Sequence, residues 1–400
     1  MKVVVSLEYR FDRTPDGKVW TQTTFPYSFW MRYLEVFDHV SVVARVLEVP
    51  LASPDWRRVD GEGVSFAALP HYIGPWQYLL KARQIQLAAI NSVGANDAVI
   101  LRVSSQIANS IEPLLRQTGH PYGVEVVADP YDVFAPGSVK HPLRPFFRWW
   151  FPRQLRHQCT GASAVAYVTE RALQTRYPPA STAFSTHYSS IELPTSALVA
   201  APRIPRQNAH QCTLIFVGTL AQLYKAPNVV IAAVATCVQE GLDLKLILLG
   251  DGKHRPELEA QAKALGIGDR VCFRGQLTAG DAVCTELDSS DLFVLPSYQE
   301  GLPRAMVEAM ARALPCIGST IGGIPELLPA EDIVPPGDAN ALASKIREVV
   351  TDPDRLARMS ARNLEKAKEY TDEVLREQRL IFYCYVREQT EAWLKDQQQI

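Results

Sequence analysis

The sequence predicts an α/β protein made of two doubly wound parallel-sheet domains that face each other across a cleft. Three observations predict it. Short runs of apolar, often β-branched residues alternate with helical patterns through both halves of the chain, as βαβ units do when they build a parallel sheet. The length of 400 residues exceeds one ordinary core and fits two domains of roughly 200 residues each. A proline-punctuated stretch of little periodicity at 192–211 separates the two series and reads as an interdomain linker.

Taken in order, the strands of the first domain (1–200) are expected at Val3 to Leu7, Val40 to Val46, Ala98 to Val103, Val124 to Ala128 and Ala164 to Val168. Between the first two, residues 8–21 read as a small hairpin turning at Asp16-Gly17. The segment 141–157 interleaves five bulky aromatics with four arginines, and Pro145 and Pro152 interrupt its helical regularity. Two readings of it stay open: a peripheral seat at a bilayer interface, or aromatics packed beneath the sheet. In the second domain (201–370) strands are expected at Thr213 to Val217, Leu244 to Leu249, Val271 to Phe273, Leu292 to Leu295 and Cys316 to Ile317. The tail from about 355 is rich in Arg, Glu, Leu and Lys and predicts helix to the end.

Composition narrows the function. A formal charge of −2 gives no reason to expect nucleic acid as a partner. Seven scattered cysteines lack zinc-ligand spacing and an even count, which reads as buried, reduced thiols in a cytoplasmic protein. The amino terminus reads as a first buried strand rather than a secretion signal. No run approaches 18 uninterrupted apolar residues, so any membrane contact is expected to be peripheral.

The chemistry concentrates at 296–310, ProSerTyrGlnGluGlyLeuProArgAlaMetValGluAlaMet. Gly301 permits a turn and Pro303 suits a first helical residue, so Pro303 to Ala313 reads as a helix whose free N–H groups face the loop carrying Glu300. Such an end attracts phosphate. Met306, Val307, Met310 and Leu314 recur at helical spacing and would bury one face. Glu308 then lies roughly 8 Å along the axis, so both acids can reach one ligand. Taken alone, such a pair would read as a helix cap and a surface acid.

A second constellation is PheValGlyThrLeuAlaGlnLeuTyrLysAlaProAsn, 216–228, a strand leaving through Gly218 and Thr219 and returning into a helix near Pro227, with Lys225 at the loop's end. LeuLeuGlyAspGlyLysHisArg, 248–255, offers Gly250 and Gly252 for close backbone approach, a weak signal in itself. ValCysPheArgGlyGlnLeu, 271–277, supplies Phe273 and Arg274.

SerTyrGlnGluGlyLeuProArg followed by ValGluAlaMetAla, with the downstream LeuProCysIleGlySerThrIleGlyGlyIleProGlu, resembles the signature of the family 4 retaining glycosyltransferases, a GT-B group that uses UDP-, GDP- or ADP-sugars. The resemblance is specific over about 213–350 and only architectural before that. It implies two Rossmann-like domains, donor on the second and acceptor on the first, with the last helix (371–400) crossing back through Trp393, Tyr383 and Tyr385. It also implies that Glu300 contacts donor-sugar hydroxyls and Glu308 the ribose, that Lys225 neutralises the leaving diphosphate, and that no metal or other cofactor is needed. Gly218, Thr219, Gly250, Gly252, Phe273, Arg274, Ser297, Gly301, Leu302 and Pro303 line the implied donor site.

Three departures from the family pattern stand out. Thr219 replaces the arginine that commonly follows the loop glycine, leaving Arg274 or Arg304 as substitute cations. Ala128 and Asp129 occupy the place of a histidine close to the reacting sugar. Asp129 is the candidate replacement, toward the sugar or the acceptor, with Asp132 as a turn cap or acceptor contact and Arg102 either facing the cleft or held in a structural ion pair. A hairpin replaces the glycine pair after the first strand. The expected function is transfer of a sugar, from UDP or GDP first, to a hydroxyl of a glycan, lipid-linked or small-molecule acceptor. A nucleotide-sugar 2-epimerase and a non-catalytic nucleotide-sugar-binding subunit are the alternatives.

Overall fold

The computed structural model describes residues 1–136, 138, 141–204, 211–277 and 280–399; the linker expected at 192–211 therefore lies outside the described residues over 205–210. Two sheets organise the chain. The first contains β1 (Lys2–Arg13), β2 (Val19–Thr21), β3 (His39–Glu48), β4 (Arg57–Arg58), β5 (Val64–Pro70), β6 (Ala98–Val103), β7 (Gly123–Val126), β8 (Ala164–Tyr167) and β9 (Phe184–His187). Its parallel part runs in the order β5-β3-β1-β6-β7-β8-β9. The second holds β10 (Cys212–Val217), β11 (Leu244–Leu249), β12 (Val271–Gly275), β13 (Leu292–Leu295), β14 (Cys316–Ser319) and β15 (Ile333–Val334), all parallel, in the order β12-β11-β10-β13-β14-β15. In each, the chain moves outward from a central strand and then returns to build the other half. That reversal opens a crevice beyond the strands' carboxyl ends.

Burial on both faces explains the central strands. Every residue of β6, β7, β8, β13 and β14 is buried, which only near-continuous apolar runs tolerate. The strands that the apolar runs did not reveal are peripheral: β5 ends on Pro70, and β9 reads PheSerThrHis with no fully buried residue. The hairpin is real, with β2 antiparallel to the end of β1 and Gly17 at φ +81° in the turn.

The crossover elements of the first domain are α1 (Tyr27–Leu34), α2 (Gly74–Asn91), α3 (Gln106–Thr118), α4 (Pro130–Val133), α5 (Arg144–Gly161) and α6 (Ala172–Arg176). Those of the second are α7 (Pro227–Gln239), α8 (Arg255–Ala264), α9 (Asp281–Asp288), α10 (Arg304–Ala311), α11 (Ile324–Leu327), α12 (Ala339–Val350) and α13 (Pro353–Lys368). A 27-residue helix, α14 (Asp372–Gln398), then returns to the first sheet. Tyr383 stacks on Tyr33 at 4.6 Å, Tyr385 on Phe184 at 5.0 Å, and Trp393 lies 4.4 Å from His120.

Two expectations need correction. The 141–157 aromatics sit on one helix: Pro145 falls in its first turn, where no N–H is missed, and Pro152 lies inside it at the cost of one backbone hydrogen bond without ending it. They are not packed beneath the sheet: Phe146, Trp149 and Trp150 are exposed, while Phe147 and Phe151 lean on Phe134. Nor are all thiols buried, since Cys384 is exposed and Cys272 and Cys284 are half-buried.

Candidate active site

The second sheet's carboxyl ends gather four loops. After β13 the chain passes Ser297, fully buried, and reaches Glu300, whose Oε1 accepts hydrogen bonds from Ser297 Oγ and Lys225 Nζ, both at 2.8 Å. The loop after β10 is fastened to this one by Tyr298 N donating to Tyr224 O at 2.7 Å. Lys225 and Glu300 thus meet across 75 residues of sequence because two neighbouring strands end side by side. Burial works against the lysine's charge, but the Glu300 carboxylate outweighs it and holds its pKa above the ordinary value.

Ala226 then turns the chain in the left-handed region, φ +57°, and α7 begins with Pro227 and no side-chain cap. α10 likewise starts without a side-chain cap. Its first helical residue is Arg304 rather than Pro303: Pro303 keeps an extended ψ of 101° and its carbonyl accepts the first helical bonds, which makes it the N-cap. α10 therefore opens near Lys225 with the N–H groups of Arg304 and Ala305 left for an anion, whereas α7 leaves only that of Asn228, because Pro227 has none and Val229 N donates to Ala226 O. Met306, Val307, Met310 and Leu314 are fully buried. Glu308 is half-buried, its carboxylate has no hydrogen bond or ion pair among the described residues, and desolvation raises its pKa against the opposing pull of Arg304 and Lys225.

The glycines act differently from their expected roles. Gly301 lies outside the left-handed region; a Cβ there would come within 2.5 Å of Val127 O in the first domain, so it is a closeness requirement between domains. Gly250 and Gly252 have φ of +138° and +156°, and added Cβ atoms would sit 1.9 Å from Gly218 O and 2.0 Å from Ala221 N. They let one loop lie backbone on backbone against the next. Leu302 is buried beneath Gly323.

Other expected residues are engaged elsewhere. Thr219 Oγ accepts from Ala221 N in a local turn. Arg274 pairs with Glu286 at 3.0 Å, and the Phe273 carbonyl accepts from Arg255. Arg304 is exposed and has no such partner among the described residues, which makes it the better placed substitute cation. On the other side of the cleft, Asp129 caps α4 through Tyr131 N and accepts from Tyr177 Oη and Arg176. Both its oxygens are occupied, so geometry gives it an anchoring role. Asp132 shares Arg176 and does not cap the turn; burial and the Asp129 charge raise its pKa. Arg102 is buried inside β6 and ion-paired with Glu125, so it does not face the cleft.

Sequence reasoning missed Glu326. Its carboxylate accepts from Glu170 N at 2.6 Å, Arg171 N at 2.9 Å and Ala172 N at 2.7 Å, which ties the second domain to the start of α6 in the first. An acid ending a glycine-rich rim loop was the available signal.

Residues 201–366 match the family model described as glycosyl transferases group 1. Across most of its length the chain is similar to protein CapJ of Staphylococcus aureus, 26% identical over 82% of this chain and 81% of that one. Among solved structures, sucrose-phosphate synthase from Thermosynechococcus elongatus superposes with a TM-score of 0.69 at 16% identity, covering 96% of this chain and 98% of the other. The chain has the GT-B fold. The Anabaena protein HepE, solved with UDP and glucose, shares that fold at TM-score 0.60 and 16% identity over 99% of both chains. In this GT-B chain the cleft is walled by the loops after β10 and β13 on one side and by those after β7 and β8 on the other.

Proposed function

We propose that the protein is a retaining, metal-independent glycosyltransferase that moves a sugar from a nucleoside-diphosphate sugar to an acceptor hydroxyl on a glycan, a lipid-linked carrier or a small molecule. The observation that carries this reading is the Lys225–Glu300 pair beside the uncapped starts of α7 and α10. The group 1 match over 201–366 supports it, and the similarity to a UDP-bound protein makes UDP the first donor to try.

The chemistry follows from charge. As the glycosidic bond to phosphate breaks, positive charge grows on the sugar ring and negative charge on the diphosphate. A half-buried lysine and the free N–H groups at the start of α10 stabilise the departing anion most where it is most charged, in the transition state. Lys225 is held by Glu300 in the structure. Diphosphate takes over the lysine, and Glu300 turns to sugar hydroxyls; Glu308 accepts from the ribose. Asp129, the candidate acid of the first domain, has both oxygens engaged and is not free as a nucleophile, so the acceptor attacks from the side of the leaving group, whose phosphate oxygen takes the acceptor proton. Closure of the cleft keeps water from the activated sugar.

Replacing Lys225 by Ala should lower turnover with UDP-sugar about 10²- to 10³-fold, the usual cost of one transition-state donor, with a smaller change in donor affinity. Release of UDP and anomeric configuration, followed by NMR, give the readout. Tight UDP binding with neither transfer nor hydrolysis would identify a binding subunit instead, and a product epimeric at C2 would identify an epimerase.

A further inference from the structure

The first domain has a face that neither the cleft nor the core uses. α2, α3 and α5 are crossovers that all travel the same way across the sheet, from β5 to β6, β6 to β7 and β7 to β8, so right-handed connection sets them side by side on one face. The α2–α3 and α3–α5 contacts agree with this, while α14 covers the opposite face through β6, β8 and β9. Only Ile85 and Ala89 of the 18 residues in α2 are fully buried. Trp76, Leu79 and Leu80 are 77%, 62% and 87% exposed, and on α5 Trp149 is 53% exposed beside Phe146 and Trp150.

Charge says what this face meets. At the chain average of 43 acids in 400 residues, two 18-residue helices would carry about four, yet α2 and α5 carry none. They carry Lys81, Arg83, Arg144, Arg148, Arg153 and Arg156, and α3 between them holds one acid, Glu112, buried against Arg116 and His157. A second copy of the chain would set this basic face against itself across a two-fold axis, like charge on like. Tryptophan, leucine and arginine together, without acids, suit an interface where apolar side chains enter acyl chains and cations meet anionic headgroups. Height along the sheet adds to the case. Both helices start at the carboxyl end of the strands, and Trp76, Leu79, Leu80, Phe146, Trp149 and Trp150 occupy their first two turns, level with the cleft mouth, while exposed Leu87 extends the apolar strip farther along α2. With neighbouring helix axes about 10 Å apart, the seat is about 20 Å wide.

We propose that α2 and α5 form a peripheral docking face for an anionic lipid surface, which sets the cleft opening against the headgroups. Lipid binding of this kind is independent of the sugar-transfer reading. The test is co-sedimentation of the full chain with vesicles of equal parts phosphatidylglycerol and phosphatidylcholine, against vesicles of phosphatidylcholine alone. Binding to the anionic vesicles is expected. Leu79→Glu with Leu80→Glu should cut it about tenfold or more, and Arg153→Ser and Arg156→Ser about fivefold each, with unchanged melting temperatures. Ile381→Glu, an exposed change on α14, should have no effect. Absence of binding to anionic vesicles, or full binding by the α2 double variant, overturns the proposal. So does a dimer in solution that this variant dissociates, since the face would then belong to a second copy.

Discussion

At the scale of single residues, Glu308 sets burial against charge. Its half-buried carboxyl has no partner among the described residues, and desolvation lifts its pKa above the ordinary carboxylate value. The folded protein therefore holds that proton more tightly than the unfolded chain, and stability contributed by this group is present at low pH and lost as pH rises through the raised pKa. Glu308→Gln removes the penalty. The variant is expected to melt higher than the parent at pH 7, with the gap closing as pH falls into the usual carboxylate range. It should also bind UDP about 10- to 100-fold more weakly, the cost of losing hydrogen bonds to a charged acceptor. Calorimetry across pH reads both; a lower melting temperature at pH 7 would mean that the acid has a stabilising partner. Lys225 is the contrasting case, since Glu300 compensates its burial before any donor arrives. The motif singled out Glu300, Glu308 and Lys225 by residue type and position in strand–loop–helix units, and the structure brings Lys225 and Glu300 together. Asp129 was not legible in this way. Its type fitted a catalytic acid, and only the positions of Tyr177 and Arg176, 48 and 47 residues away, show that it is already satisfied.

Among elements, the first domain is fastened by a buried polar cluster. Glu125 on β7 accepts from Tyr33 Oη on α1 at 2.9 Å, Tyr188 Oη at 2.7 Å and Tyr383 Oη on α14 at 3.3 Å, and pairs with Arg102 on β6. All five side chains are buried, so the carboxylate depends on Arg102 for its countercharge. Arg102→Met should cost about 3–5 kcal/mol, the price of stranding one member of a buried pair, while nucleotide affinity of the second domain stays unchanged. Denaturant unfolding with parallel UDP titration measures the two; weakened UDP binding at unchanged stability would put Arg102 back in the cleft. Central strands were readable because burial on both faces forces apolar runs. β5 and β9 escaped because edge strands satisfy one face with solvent or loops and tolerate polar residues. The α5 helix escaped for another reason: Pro145 in the first turn costs nothing, and Pro152 removes one backbone hydrogen bond without ending the helix, so neither marked a break.

For the whole molecule, closure of the two domains is the open variable. Among the described residues, the contacts that span the cleft include Gly301 against Val127, Ser138 Oγ donating to Gln299 at 2.6 Å, and the three N–H groups gathered by Glu326. Relative motion is the normal expectation for two domains unless their interface is large and apolar. Glu326→Ala removes the acceptor of three hydrogen bonds without touching either core. It should shift the donor-free protein toward an open form, seen as a larger radius of gyration by small-angle scattering, and saturating donor should reverse part of that shift. An unchanged scattering curve would mean that closure rests elsewhere.

The sequence by itself determined which loops hold the candidate groups, because glycines, prolines, acids and a lysine at fixed offsets from apolar runs fix local backbone and local charge. It also determined that two parallel sheets would form, since their strands must be apolar on both sides. What only the tertiary structure decided is which of those groups face one another. Lys225 reaches Glu300, Glu326 reaches α6, and Asp129 turns inward, because strand order and domain closure set distances that no spacing along the chain encodes. The acid-free face of α2 and α5 became visible for the same reason: two helices 52 residues apart at their ends share a surface only once the sheet between them is assembled.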